Sequence, residues 1–139
     1  MRLRGKTVLL ALLFLVCVFT LSACGKSKSS SKFDQKKVEE LATSVVDMVN
    51  KGDAENIKEL CNEQMKQAFT DDVLNQVFDT VKQFGEYKEV SKIDVTEIED
   101  KASKKPIAVA VIKAKYTDKR AIYTISFDTD MKLAGLYIK

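Results

Sequence analysis

The sequence has no histidine, a single proline, five glycines and three cysteines in 139 residues. The missing histidine removes the commonest general base, the side chain that titrates near neutral pH and the commonest metal ligand. A histidine-dependent hydrolytic triad is excluded, and no imidazole is present to turn a cysteine into a nucleophile. So little proline and glycine excludes collagen-like and Pro-rich architectures. An excess of one charge is also lacking. Residues 1–23 hold three of the 23 basic residues (Arg2, Arg4 and Lys6) and no acid, leaving 20 basic against 20 acidic residues from Cys24 onward. A neutral chain offers no electrostatic footprint for nucleic acid, and no nucleic-acid partner is expected. What is present, 45% hydrophobic and 31% charged residues, suits one packed domain with a short appendage.

The N-terminus reads as an address. Met1–Lys6 is positively charged, Val8–Phe19 is an unbroken apolar run, and Thr20-Leu21-Ser22-Ala23-Cys24 follows. A charged start, a short apolar stretch and small residues at a cleavage point make a secretory signal, and the run is shorter than the roughly 20 residues a spanning helix needs. Leu21-Ser22-Ala23-Cys24 resembles the lipobox of bacterial lipoproteins. The resemblance implies a signal peptide over 1–23, removed before Cys24, and a diacylglyceryl group on the Cys24 thiol. It places the protein on the extracytoplasmic face of the cell membrane. An ordinary signal cleaved after Ala23 would want a small residue where Leu21 stands. With Cys17 removed and Cys24 acylated, Cys61 has no partner and reads as a buried small hydrophobe following Leu60. Residues 24–32 form the lipidated cysteine and a Ser/Lys-rich tether that carries Lys26, Lys28 and Lys32.

Residues 33–139 read as one α+β domain. Asp34 predicts an N-cap, with Phe33 and Val38 as a hydrophobic staple. Val38, Leu41, Ala42, Val45 and Val49 follow at helical spacing until Gly52. Asp53 caps a second helix through Ile57 and Leu60 that is expected to continue to Met65 and Phe69. Thr70 caps a third helix, stapled by Phe69 and Leu74 and stopped by Gly85. Strands are expected at Glu89–Glu99, Ile107–Tyr116, Ala121–Asp128 and Met131–Ile138. A two- or four-residue loop at Asp118-Lys119 puts Ala110, Ile112 and Ala114 on one face with Phe127, Ile125 and Tyr123. Val109, Val111, Lys113 and Lys115 then share the other face with Asp128, Ser126, Thr124 and Ile122. Helices followed by an antiparallel sheet predict N-terminal helices packed on a curved four-stranded sheet.

Phe33-Asp34, Asn50-Lys51-Gly52-Asp53, Ile57-Lys58-Glu59-Leu60-Cys61-Asn62, Tyr123-Thr124-Ile125-Ser126-Phe127 and Leu133-Ala134-Gly135-Leu136-Tyr137-Ile138 together look like the domain-of-unknown-function 3887 family. The layout is similar to the nuclear transport factor 2-like (cystatin-like) superfamily, which implies helices curled into a bent sheet to form a cone. The resemblance implies envelope lipoproteins and modules placed ahead of α/β-hydrolase domains. No hydrolase segment is expected, because the given sequence stops at Lys139. The family carries over no catalytic residue.

Weighed residue by residue, the chemistry is sparse. Cones of this superfamily can house an isomerase-like proton-transfer site, which needs a carboxylate base beside an oxyanion hole in an apolar cavity. Tyr116 and Tyr123 fall on the inner face, but the strand register brings no acid to them. Asp128-Thr129-Asp130 and Asp71-Asp72 suit a turn and a helix start and lack the ligand set of a calcium loop. No catalytic residue, cofactor or metal ligand is therefore assigned. The expected role is a non-catalytic binding or interaction module, with the isomerase-like enzyme as the alternative. Val109, Val111, Ile122, Leu133 and Tyr137, grouped away from the helices, are the candidate interaction face. They are expected to meet a second copy in a homodimer or an envelope protein partner.

Overall fold

A computed structural model describes residues 31–139. The expected signal peptide, Cys24 and the first part of the tether lie outside the described residues. Four helices come first: α1 (Gln35–Lys51), α2 (Ala54–Leu60), α3 (Glu63–Ala68) and α4 (Asp71–Lys82). Four strands follow: β1 (Tyr87–Glu99), β2 (Pro106–Tyr116), β3 (Arg120–Phe127) and β4 (Leu133–Ile138). They form an antiparallel meander in the order β1-β2-β3-β4, open at both edges. The expected α+β architecture is the one observed.

Local signals start the helices where expected. The Asp34 carboxylate accepts the N–H of Lys36 and of Lys37, and Phe33 and Val38 are both buried beside it. Thr70 Oγ1 accepts the Val73 N–H at 3.3 Å, with Phe69 and Leu74 buried. Gly52, at φ +69°, ends α1 in the left-handed conformation that glycine adopts without a Cβ penalty. The second helix does not continue to Phe69. It stops at Leu60; Cys61 is extended and bridges Leu133, the Asn62 N–H donates to the Leu133 carbonyl at 2.9 Å, and Asn62 Oδ1 caps α3 through the Met65 N–H.

The core lies between the helices and one face of the sheet. α1 lies against β1, β2 and β3, and its buried Val45, Val46 and Val49 share one core cluster with Ala108, Ala110, Ala114 and Ala121 of the sheet. Ile112, Tyr123, Ile125, Phe127 and Leu133 are fully buried on the same face. Register shifts at Lys88 and Ser91 put two bulges into β1, and such bulges bend and twist a strand. The sheet thus curves about the helices. β1 protects its open edge with charge, including a Lys92–Asp94 ion pair at 2.7 Å.

The β2–β3 connection takes the four-residue form. Its pairs are Ala110↔Ile125, Ile112↔Tyr123 and Ala114↔Ala121, closed by Lys115↔Arg120. A two-residue loop would slide these pairs by two residues and leave the faces unchanged. The longer loop is held by the neighbouring α4–β1 connection. Thr117 N–H donates to the Glu86 carbonyl, Asp118 N–H donates to the Phe84 carbonyl, and Thr117 Oγ1 accepts the Glu86 N–H. The last strand begins at Leu133 rather than Met131. Asp128 Oδ1 accepts the N–H groups of Asp130 and Lys132, and Met131 sits at φ +58° inside that turn.

Candidate functional site

The sheet's outer face carries the residues singled out for interaction. β2 alternates along its length, so Ile107, Val109 and Val111 point away from the buried Ala108, Ala110 and Ile112. Pairing then lays out rows across the face: Asp94, Val111, Thr124 and Tyr137 form one, and Thr96, Val109, Ser126 and Gly135 the next. Ile122 stands opposite Lys113, one step diagonal from Val111. Tyr137 is 62% exposed, Val111 and Ile122 are half-buried, and Val109 is 9% exposed.

Leu133 is not on this face. It is fully buried in the core, opposite Phe127. The pairing passes from Ser126↔Gly135 to Phe127↔Leu133, so Ala134 is the extra residue of a bulge. Alternation from Tyr137 would put Leu133 outside; the bulge turns it inside. Alternation from Val109 points to one omitted residue, Ile107. Its outward partner Ile98, 47% exposed, follows only from the β1–β2 register.

The two inner-face tyrosines meet. The Tyr116 and Tyr123 hydroxyls are 2.5 Å apart, and Phe84 and Tyr87 pack on the Tyr116 ring with centroids 5.5 and 5.6 Å away. Burial pushes the phenols of Tyr123 and Tyr116 up, while the Asn50 side chain, brought in by α1, opposes the shift at both. Burial and then the charge of Asp47, also on α1, raise Tyr87. The helix thus brings an acid whose charge acts on Tyr87, which the strand pattern alone does not contain. The pair is nonetheless closed: Tyr123 is wholly buried and Tyr116 is 6% exposed.

Recesses lie elsewhere among the described residues. A 450 Å³ polar recess opens at the end of the sheet where the β1–β2 and β3–β4 turns meet, with Asn62, Asp100, Lys105, Ser126, Asp128 and Asp130 among its lining. A 310 Å³ groove runs between α4 and the edge strand β4, lined by Val73, Val77, Leu136 and Tyr137 among others. Neither is lined by the tyrosine pair. Among the described residues no three His, Cys, Asp or Glu side chains cluster to hold a metal, and no helix is long and apolar enough to cross a membrane. Cys61 is buried beneath Leu133, and burial raises its thiol pKa, which keeps it protonated and unreactive.

The family model described as "Protein of unknown function (DUF3887)" matches residues 42–136, from inside α1 to the middle of β4. The chain belongs to the DUF3887 family. The match spans both faces of the sheet and the tyrosine pair. Among solved structures, the DUF3887 domain is similar to an NMR structure of a protein from Ruminococcus gnavus ATCC 29149. That likeness has a TM-score of 0.67 and 20% identity over 77% of this chain and 92% of the other, and it shows a shared fold. No curated protein matches the chain.

Proposed function

We propose that this DUF3887 protein is a lipoprotein on the extracytoplasmic face of the cell membrane, anchored through a diacylglyceryl group on Cys24, and that its domain binds a partner without catalysis. The observation that carries the anchor is Leu21-Ser22-Ala23-Cys24 directly after the apolar run Val8–Phe19. Two acyl chains suit a stable anchor, since each buried CH₂ adds about 0.8 kcal/mol and a single chain holds only marginally. Mass spectrometry of the membrane-bound protein should find an acylated Cys24 at its N-terminus. Cys24→Ser should move it out of the membrane fraction or leave the precursor uncleaved. An intact, unmodified Cys24 in membrane-bound protein would refute the anchor.

The binding role rests on the outer sheet face. Ile107, Val109 and Val111 make a continuous apolar line along β2, with Ile98 and Ile122 flanking it and Tyr137 on the edge strand. Several apolar residues grouped on one face suit a covered surface, and a two-fold dimer is the commonest way for like faces to meet. A second copy or an envelope protein is the proposed occupant. Sedimentation of the wild type against Val111→Lys tests self-association: the variant should lower the oligomeric state with an unchanged circular dichroism spectrum. A wild type already monomeric at high concentration leaves the envelope protein as the partner.

Helices curled over a bulged antiparallel sheet support placing the domain in the nuclear transport factor 2-like superfamily. An isomerase in such a cone needs a substrate-sized cavity at its tyrosines. The packed Tyr116–Tyr123 pair favours binding instead. A broad esterase, peptidase and isomerase screen of the whole protein should find no turnover above background. Activity abolished by Asp47→Asn or Tyr116→Phe would promote the enzyme.

A further inference from the structure

The two edges of the sheet are built differently. β1 carries Lys88, Glu89, Lys92, Asp94, Glu97 and Glu99 besides its two bulges, and charge and bulges keep an edge from pairing. β4 has no charged residue and no proline. Its first half is covered: Cys61 bridges Leu133, whose carbonyl accepts the Asn62 N–H. Its second half is open. Ile122 and Lys139 exchange both of their backbone hydrogen bonds across β3 and β4. Antiparallel pairs alternate, so Tyr137 also bonds to β3, while the N–H and C=O groups of Leu136 and Ile138 point away from it. Among the described residues these groups have no hydrogen-bond partner. α4 stands off across the 310 Å³ groove lined by Val73, Val77 and Leu136.

Backbone groups aligned along a strand edge are satisfied by another strand. A second copy of β4 satisfies both residues in one arrangement, antiparallel about a two-fold axis at Tyr137. Leu136 then stands opposite Ile138 of the second copy, and Ile138 opposite its Leu136, each pair exchanging both hydrogen bonds. Tyr137, 62% exposed, meets Tyr137 of the second copy on the outer side as a non-hydrogen-bonded pair, with Cα atoms about 4.5 Å apart. Leu136 and Ile138, half-buried on the inner side, meet at the mouths of the two grooves. Charge favours the same reversal. α4 runs in the direction of β4: its start is tied to α2 by the Lys58–Asp71 ion pair near the Cys61 bridge, and Phe84, just past its end, accepts from Asp118 in the β2–β3 turn. With every charge counted, the starting end holds Glu59, Glu63, Asp71 and Asp72 against Lys58, Lys66 and Lys132, and the other end holds Lys82, Lys119, Arg120 and Lys139 against Asp79 and Asp118. A two-fold axis across β4 sets the acidic end of each copy toward the basic end of the other.

We propose that two copies of this chain join edge to edge through β4, forming one sheet continuous across both. The joint is separate from the outer-face contact: it leaves the two outer faces side by side, with Val109 and Val111 of each open to a partner. It also gives the uncharged edge strand and the exposed Tyr137 a common use.

Two measurements on the full chain test the joint. Under mild oxidation Tyr137→Cys should run mostly as a disulfide-linked dimer and the parent chain, with its native cysteines, should not. A Cα separation of about 4.5 Å suits a disulfide, whereas sheets packed face to face lie about 10 Å apart and cannot be bridged. Adding Val111→Lys should leave that crosslink intact. In the wild type, residue-resolved amide exchange at Leu136 and Ile138 should slow by about ten-fold between dilute and concentrated protein. A dimer that Val111→Lys abolishes, with no protection gained at Leu136 and Ile138, overturns the edge joint while the outer-face contact stands. A wild type that stays monomeric at high concentration also overturns it. Protection of those two amides only on adding an extended peptide would assign the edge to another protein instead.

Discussion

The two faces of the sheet are written in the same eleven residues of β2, yet they do different work. Ala108, Ala110, Ile112, Ala114 and Tyr116 are buried under the helices; Ile107, Val109, Val111, Lys113 and Lys115 look away. Val109 and Val111 are as apolar as Ile112, so hydrophobicity alone does not separate the faces. Partners do. The inner residues meet helices of their own chain, whereas the outer ones lie among Thr96, Thr124 and Ser126. A residue packed under helices of its own chain contributes to folding; Val111, half-buried with no helix over it among the described residues, is available to something else.

The comparison breaks most visibly at Phe127. Fully buried on the inner face, it should cost about 3–5 kcal/mol as Phe127→Ala in urea unfolding, against a change within about 0.5 kcal/mol for Tyr137→Ala on the exposed outer face. Leu133 sharpens the same contrast. Leu133→Ala should cost about 2–5 kcal/mol, because the Ala134 bulge carries Leu133 into the core. If it were as silent as Tyr137→Ala, the two residues would share a face and the bulge would be wrong. That position shows why strand alternation was only partly legible. The period of two holds for β2 and β3, and the expected faces were right there. A single extra residue resets it, and nothing local in Leu133-Ala134-Gly135 announces the bulge.

Gly85 tests what holds the register itself. It sits at φ +88°, and a Cβ there would collide with Thr117 Oγ1. Gly85→Ala should cost about 1–3 kcal/mol from the backbone alone and push the β2–β3 turn off the α4–β1 connection. Loss of amide-exchange protection at Thr117 and Asp118, which donate to that connection, would show the displacement.

The buried tyrosines give the inner face a pH signature. Unfolded tyrosines ionise near pH 10, while burial raises Tyr116 and Tyr123 above that in the fold. Their contribution to stability is therefore fully present below pH 10 and falls as pH rises beyond it, because the unfolded chain releases those protons first. Urea midpoints measured from pH 7 to pH 11 should decline at the alkaline end, and less steeply for Tyr123→Phe. Effects on folding are expected to be small across the outer face. Val111→Lys should change monomer stability by less than about 1 kcal/mol while altering association, and unfolding by that variant would place Val111 in the core.

The sequence by itself determined what depends on neighbours along the chain. Asp34 and Thr70 cap helices through N–H groups two or three residues away, Phe33 and Phe69 staple residues five positions on, and alternation separates the faces of β2 and β3. All of these read out over a few residues, the range of a helical turn or a pleat. The tertiary structure decided what depends on contacts distant in sequence. The break between α2 and α3 exists because Asn62 N–H donates to the Leu133 carbonyl. Asn50 acts on Tyr116 and Tyr123, and Asp47 on Tyr87, only because α1 packs across the sheet. Ser31 and Lys32 bond to Glu97, a side chain on β1 that they meet only once the sheet has formed. A cap or an alternation needs a few torsions in the right wells; each of these contacts needs the whole chain folded, and no local propensity encodes that.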